Sequence, residues 1–156
     1  MKKLMYSVVL AVAFLAVPAG ARADYYFLAF LAGANEVPPR DSPGAGVGLV
    51  ILSDDFSTMS VLEVFDDLTG PATAAHIHVG DPSISGPVIL PFGGFPNDTD
   101  GFYMTDLTAD NFNPGGGLQT FDDAVQALFD GNLYMNIHTQ MFPGGEIRGQ
   151  LYYYWP

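Results

Sequence analysis

The sequence has no cysteine. That excludes disulfides, thiol nucleophiles, cysteine metal ligands and a lipid attached at cysteine. Stability must come from core burial, with a bound ion as the one further source. Basic residues are nearly as scarce: Lys2, Lys3, Arg22, Arg40 and Arg148 stand against 17 acidic residues. Long apolar runs are also missing, the longest being the ten residues Val8 to Val17. A membrane-spanning helix needs about 20. Histidine occurs three times, at His76, His78 and His138.

That apolar run belongs to a three-part leader. Lys2 and Lys3 supply the positive start, Pro18 and Gly20 break the helix, and Ala21-Arg22-Ala23 forms an A-x-A cleavage site. Residues 1–23 are therefore expected to be a cleaved signal peptide, and residues 24–156 one secreted or periplasmic domain. No stable membrane anchor is expected after cleavage. Three of the five basic residues leave with the leader, so the mature charge is 2 − 17 = −15. A surface of that sign repels phosphate, which excludes nucleic acid and anionic lipid as partners. The partners that remain are an extracellular protein or a cation.

Hydrophobic residues make up 49% and aromatics 13% of the chain, enough to order a single core. Short segments of strand character recur: Tyr25–Ala32, Gly46–Leu52, Met59–Phe65, Thr73–Val79 and Gly101–Leu107. Pro87–Leu90 reads as an edge strand, because proline cannot donate to a ladder. Thr120–Asp130 reads as the one helix, with Thr120 capping its start, Asp122 and Asp123 in its first turn and Gly131 closing it. Leu133–Thr139 and Glu146–Tyr153 flank a short linker and are expected to form an antiparallel hairpin. The expected fold class is an all-β antiparallel sandwich with one short helix.

His76 and His78 form an H-x-H within Ala75-His76-Ile77-His78. On a strand these imidazoles project from one face, about 7 Å apart. His138 lies in Asn136-Ile137-His138-Thr139, and Asn136 shares its face. Should the two strands be neighbours, three imidazoles converge on a mononuclear site suited to copper or zinc. The plainer alternative is structural histidines held by hydrogen bonds. Glu146 and Arg148 share a strand face, and an Arg148–carboxylate pair fixing the hairpin is the preferred reading. The alternative has Glu146 orienting one of the histidines.

Acidic pairs such as Asp54-Asp55 and Asp66-Asp67 fall at turns and read as solvation. Asn97-Asp98-Thr99-Asp100-Gly101 resembles the start of a calcium loop. It lacks the trailing glutamate, so an EF-hand is rejected and a weak surface calcium site is left open. No G-x-S-x-G, Walker A or dinucleotide fingerprint occurs. The expected function is a non-enzymatic extracellular binding or structural module, with the three-histidine metal protein as the alternative.

Several longer motifs carry a family resemblance. Leu31 to Pro39 (LAGANEVPP), Ala74-Ala75-His76-Ile77-His78, Gly86-Pro87-Val88, Gly131 to Thr139 (GNLYMNIHT) and Phe142 to Leu151 (FPGGEIRGQL) resemble the CHRD domain in order and over the whole mature chain. This domain is named after chordin and also occurs alone in secreted bacterial proteins. The resemblance implies an immunoglobulin-like β-sandwich distantly similar to Cu/Zn superoxide dismutase, with no established biochemical activity. The family's H-x-H and N-I-H-T positions correspond to His76, His78 and His138. The dismutase needs a fourth copper histidine, a bridging histidine and zinc ligands, so three histidines argue against dismutase activity.

Overall fold

A computed structural model describes residues 24–155. The expected leader, residues 1–23, lies outside the described residues. The strands are β1 (Tyr25–Ala32), β2 (Ala45–Leu52), β3 (Met59–Asp66), β4 (Ala72–Val79), β5 (Val88–Pro91), β6 (Gly101–Leu107), β7 (Leu133–Thr139), β8 (Ile147–Gln150) and β9 (Tyr152–Tyr154), with helix α1 (Phe121–Phe129) between β6 and β7. The all-β expectation holds. The strands join one antiparallel sheet in the order β5-β4-β7-β8-β1-β2-β3-β6, and β9 pairs with β1.

The sheet rolls until its ends approach one another, nearly closing a barrel. Backbone bonds from Leu68 to Thr99 and from Ala72 to Asp98 tie the β3–β4 connection to the segment before β6. Aromatic rings fill the remaining seam: Phe65 stacks on Phe95 at 5.3 Å and Phe92 on Tyr103 at 5.5 Å. The Tyr103 hydroxyl donates to the Gly93 carbonyl at 2.7 Å, so this buried polar group is satisfied. β5, with Pro91 at its end, takes the edge position that proline requires.

Alternation places one face of each strand inside. Phe27, Ala29 and Leu31 of β1, Val50 and Leu52 of β2, and Met59, Val61 and Phe65 of β3 all enter the core. Glu63 follows the same alternation and is buried among these apolar side chains, its two carboxylate oxygens without a hydrogen-bond partner. Burial pushes its carboxyl up to about 8, so it is protonated at neutral pH.

The helix forms as its sequence dictates. Thr120 accepts from the Asp123 amide, and the Asp123 side chain accepts from the Thr120 amide, a reciprocal capping box. Phe121, Ala124, Val125, Ala127 and Leu128 bury one face, and Phe129 meets Phe27 edge-on at 5.2 Å. Gly131 adopts φ +70°, the left-handed conformation that ends the helix.

The expected final hairpin is present, with Asn136 opposite Arg148 and Ile137 opposite Ile147. Its second arm is not one strand. The buried Leu151 donates its amide to Leu133 and ends β8, after which Tyr152–Tyr154 pair with Tyr26–Leu28 as β9. The chain thereby leaves β7 while staying beside β1, which β8 already meets at Ala32 opposite Arg148. Among the described residues no helix is long and apolar enough to cross a membrane.

Candidate metal centre

β4 and β7 are direct antiparallel neighbours, with Ala74 opposite His138, His76 opposite Asn136 and His78 opposite Tyr134. Ala75 and Ile77 of β4 point into the core, as do Leu133, Met135 and Ile137 of β7. His76, His78, Tyr134, Asn136 and His138 therefore share the opposite face. β8 adds Arg148 beside Asn136 and Gln150 beside Tyr134 to this polar layer.

The three imidazoles converge. One ring nitrogen from each lies within 4.8 Å of the other two. Any triangle of that size has a point within about 2.8 Å of its corners, against metal–nitrogen distances of about 2.0–2.1 Å. Each nitrogen would have to move inward by about 0.7 Å to reach one ion. His78 is nearly buried at 7% exposure, whereas His76 and His138 are half-buried and leave an entry path.

Hydrogen bonding fixes two tautomers. The Nδ1 of His78 lies 2.9 Å from the Gly86 carbonyl, and the Nδ1 of His138 lies 2.9 Å from the Pro143 carbonyl. A carbonyl only accepts, so each Nδ1 carries hydrogen and each Nε2 of the neutral ring presents a lone pair. The Nε2 of His78 is buried and has no hydrogen-bond partner. His138 Nε2 accepts from His76 Nδ1 at 3.2 Å. Backbone carbonyls behind two of the three histidines, with lone pairs turned inward, match the outer support that metal-binding imidazoles use.

Electrostatics favour neutral, ligand-competent rings. Burial, with the neighbouring His138 and His78, holds His76 down at about 4. Burial also lowers His78 and His138, opposed by their bonds to Gly86 and Pro143. Three imidazoles this close cannot all be protonated at once without strong repulsion.

Glu146 and Arg148 take different places from those expected. Glu146 is occupied by Ser42, Thr139 and Thr69, receiving hydroxyl bonds of 2.6, 2.6 and 2.7 Å and the Thr69 amide at 2.7 Å. Burial opposes its ionisation, yet these bonds hold its carboxyl below the usual range. It pairs with neither Arg148 nor a histidine, because every lone pair facing a neighbour is already taken. Arg148 is 1% exposed and donates to the carbonyls of Ile84 and Asp81, each at 2.8 Å, and to Gln150. The expected arginine–carboxylate bridge is replaced by backbone acceptors and by the Tyr134 ring, 3.4 Å from the guanidinium carbon.

Asn136 stands at the centre. Its Oδ1 lies 3.0 Å from His138 Nε2, and its Nδ2 faces Glu36 Oε1 at 3.5 Å. Glu36, 4% exposed, reaches in from the loop after β1, and burial raises its carboxyl despite Asn136, Arg148 and Arg40. Gly145 closes the floor with φ +118°; a side chain there would strike both Glu36 and Asn136. Tyr134 stacks on His78 with centroids 4.8 Å apart and 9° between planes. Alternation from Asn136 points to Tyr134 in the sequence, but no periodicity points to Glu36, whose contact spans 100 residues.

The sequence model of the CHRD domain matches residues 27–151, nearly the whole described chain. No match was found among curated proteins or among solved structures. The matched span contains all three histidines together with Glu36, Asn136 and Arg148. The chain belongs to the CHRD domain family.

Proposed function

We propose that this chain is an exported metal-binding domain that holds one divalent ion, copper or zinc, between His76, His78 and His138. The observation that carries the reading is the His78 ring. Its Nδ1–H is spent on Gly86 while its Nε2 is buried without a partner, facing two further imidazoles. An orphaned lone pair in a buried site costs free energy that a cation would recover. No catalytic step is part of this reading. Through the family resemblance, the rolled sheet is taken as a relative of the immunoglobulin-like and superoxide-dismutase-like sandwiches.

Linkage tests it. A metal that binds the folded chain alone stabilises it by about 2.7 kcal/mol at 100 times its Kd. Denaturant midpoints of the wild type should rise with zinc or copper, and those of a His76→Ala, His78→Ala, His138→Ala variant should not. Equal responses would remove the reading.

A second reading, a binding module for an extracellular protein, is favoured by a groove of about 740 Å³ beside the site. Phe30, Tyr152 and Tyr154 line it and are exposed. Replacing Phe30 and Tyr152 by serine separates the two readings, since neither residue touches the histidines.

A further inference from the structure

We propose that Asn136 is itself a ligand, its Oδ1 completing a closed four-coordinate site with His76, His78 and His138. This rests on the three-histidine reading and adds the fourth donor, and with it the character of the site.

Asn136 and His138 meet at a short contact between two acceptors. His138 Nδ1 donates to the Pro143 carbonyl at 2.9 Å, so its Nε2 is an acceptor in the neutral ring. Asn136 Oδ1, also an acceptor, lies 3.0 Å from that same Nε2. Two lone pairs face one another with no hydrogen between them. Turning the amide over would let Nδ2 donate to His138 Nε2, but Oδ1 would then face Glu36 Oε1, which Nδ2 now meets at 3.5 Å, and that contact is what favours the present orientation. Glu36 therefore orients the amide, and Gly145 leaves room for that pair.

The same Oδ1 belongs to a side chain that also neighbours His78, whose Nε2 is buried and unpartnered. Lone pairs from His138, His78 and Asn136 thus meet in one place, and His76 joins them once its proton shifts to the other ring nitrogen. A cation satisfies all four at once. The competing arrangement is a second proton on His138, donated to Asn136, which would leave Asn136 no role toward a metal.

The donor set decides the kind of site. Three imidazoles and an amide oxygen suit divalent copper or zinc rather than Cu(I), which prefers sulfur, or calcium, which needs six or more oxygens. With four protein ligands no position is left for water, which is the pattern of a structural site rather than a catalytic one. The ion would tie β4 to β7 at a point where the Gly86 and Pro143 loops also converge. Glu36 lies behind the amide, near a site whose ligands are all neutral.

The experiment loads the mature chain with Cu²⁺ after asparagine carrying ¹³C at the side-chain carbonyl has been incorporated. Electron–nuclear double resonance should show ¹³C coupling together with three imidazole nitrogens. Asn136→Leu should lose that coupling and bind Cu²⁺ at least about tenfold more weakly. The Glu36→Gln, Asn136→Asp pair reverses the hydrogen bond while making the ligand anionic, and should bind at least about tenfold more tightly than wild type. Three nitrogens without ¹³C coupling in the wild type would overturn the Asn136 ligand and leave the three-histidine site standing. Failure of the wild type to bind copper at all would overturn both. The labelled wild type decides the point even if Asn136→Leu does not fold.

Discussion

The guanidinium carbon of Arg148 lies 3.4 Å from the centroid of the Tyr134 ring, and that ring stacks on His78. Arg148 also grips the Asp81 and Ile84 carbonyls of the loop that leads to Gly86, whose carbonyl fixes the His78 tautomer. One buried cation thus supports His78 twice, through a ring and through a loop.

Replacing Arg148 by methionine removes the two charge-assisted bonds and the stacking, and strands two carbonyls. Each such bond contributes about 1.5–3 kcal/mol, so the loss should be about 3 kcal/mol or more. Urea denaturation measures it. Arg148→Lys keeps the charge but not the planar fork, and should fall between the two. Metal affinity should fall with both variants while the three imidazoles are still present.

Glu63 predicts an alkaline loss of stability. Its folded carboxyl titrates at about 8, above its ordinary 4.5, so the folded state binds more protons between those values. Stability is then greatest below pH 4.5 as far as this group is concerned, and it is lost as pH rises through 8. Glu63→Met removes the buried carboxyl and should stabilise the chain at pH 8 by about 2 kcal/mol. Thermal melts should rise by about 5–10 °C at that pH, with little change at pH 5.

The histidines act in the opposite direction. His76 falls from 6.5 to about 4 on folding, so the unfolded chain binds more protons between those values. The histidine contribution to metal-free stability should therefore decline as pH drops from 6.5 towards 4, His78 and His138 adding to His76, against the opposite slope of Glu63 between 4.5 and 8. The triple alanine variant should lose this acid slope while keeping the alkaline slope of Glu63. Denaturant midpoints at a series of pH values measure both. An unchanged acid slope in that variant would contradict the buried, neutral state of the rings.

Much of the fold is legible in the sequence because its signals are local. Thr120, Asp123 and Gly131 mark the helix through caps that involve neighbours a few residues away. The alternation in MSVLEVF and TAAHIHV gives the strand faces directly. The H-x-H face follows from strand geometry alone, but its meeting with His138 depends on which strands pair. That pairing joins residues 62 apart and has no local signal. The break at Leu151 is hidden for the same reason, since EIRGQLYY reads as one strand until Leu133 and β1 compete for it. Arg148 misleads in a different way. In a chain this acidic a carboxylate is the obvious partner, yet the buried guanidinium finds two carbonyls and an aromatic face instead.

A calorimetric titration of the mature domain with Cu²⁺ and with Zn²⁺ at pH 7 tests the metal centre most directly. One ion per chain should bind without net proton release from the imidazoles, which are already neutral at pH 7, and His78→Ala should weaken binding by at least about tenfold. Absence of a one-to-one transition in the wild type, or equal binding by wild type and the triple alanine variant, would contradict the site.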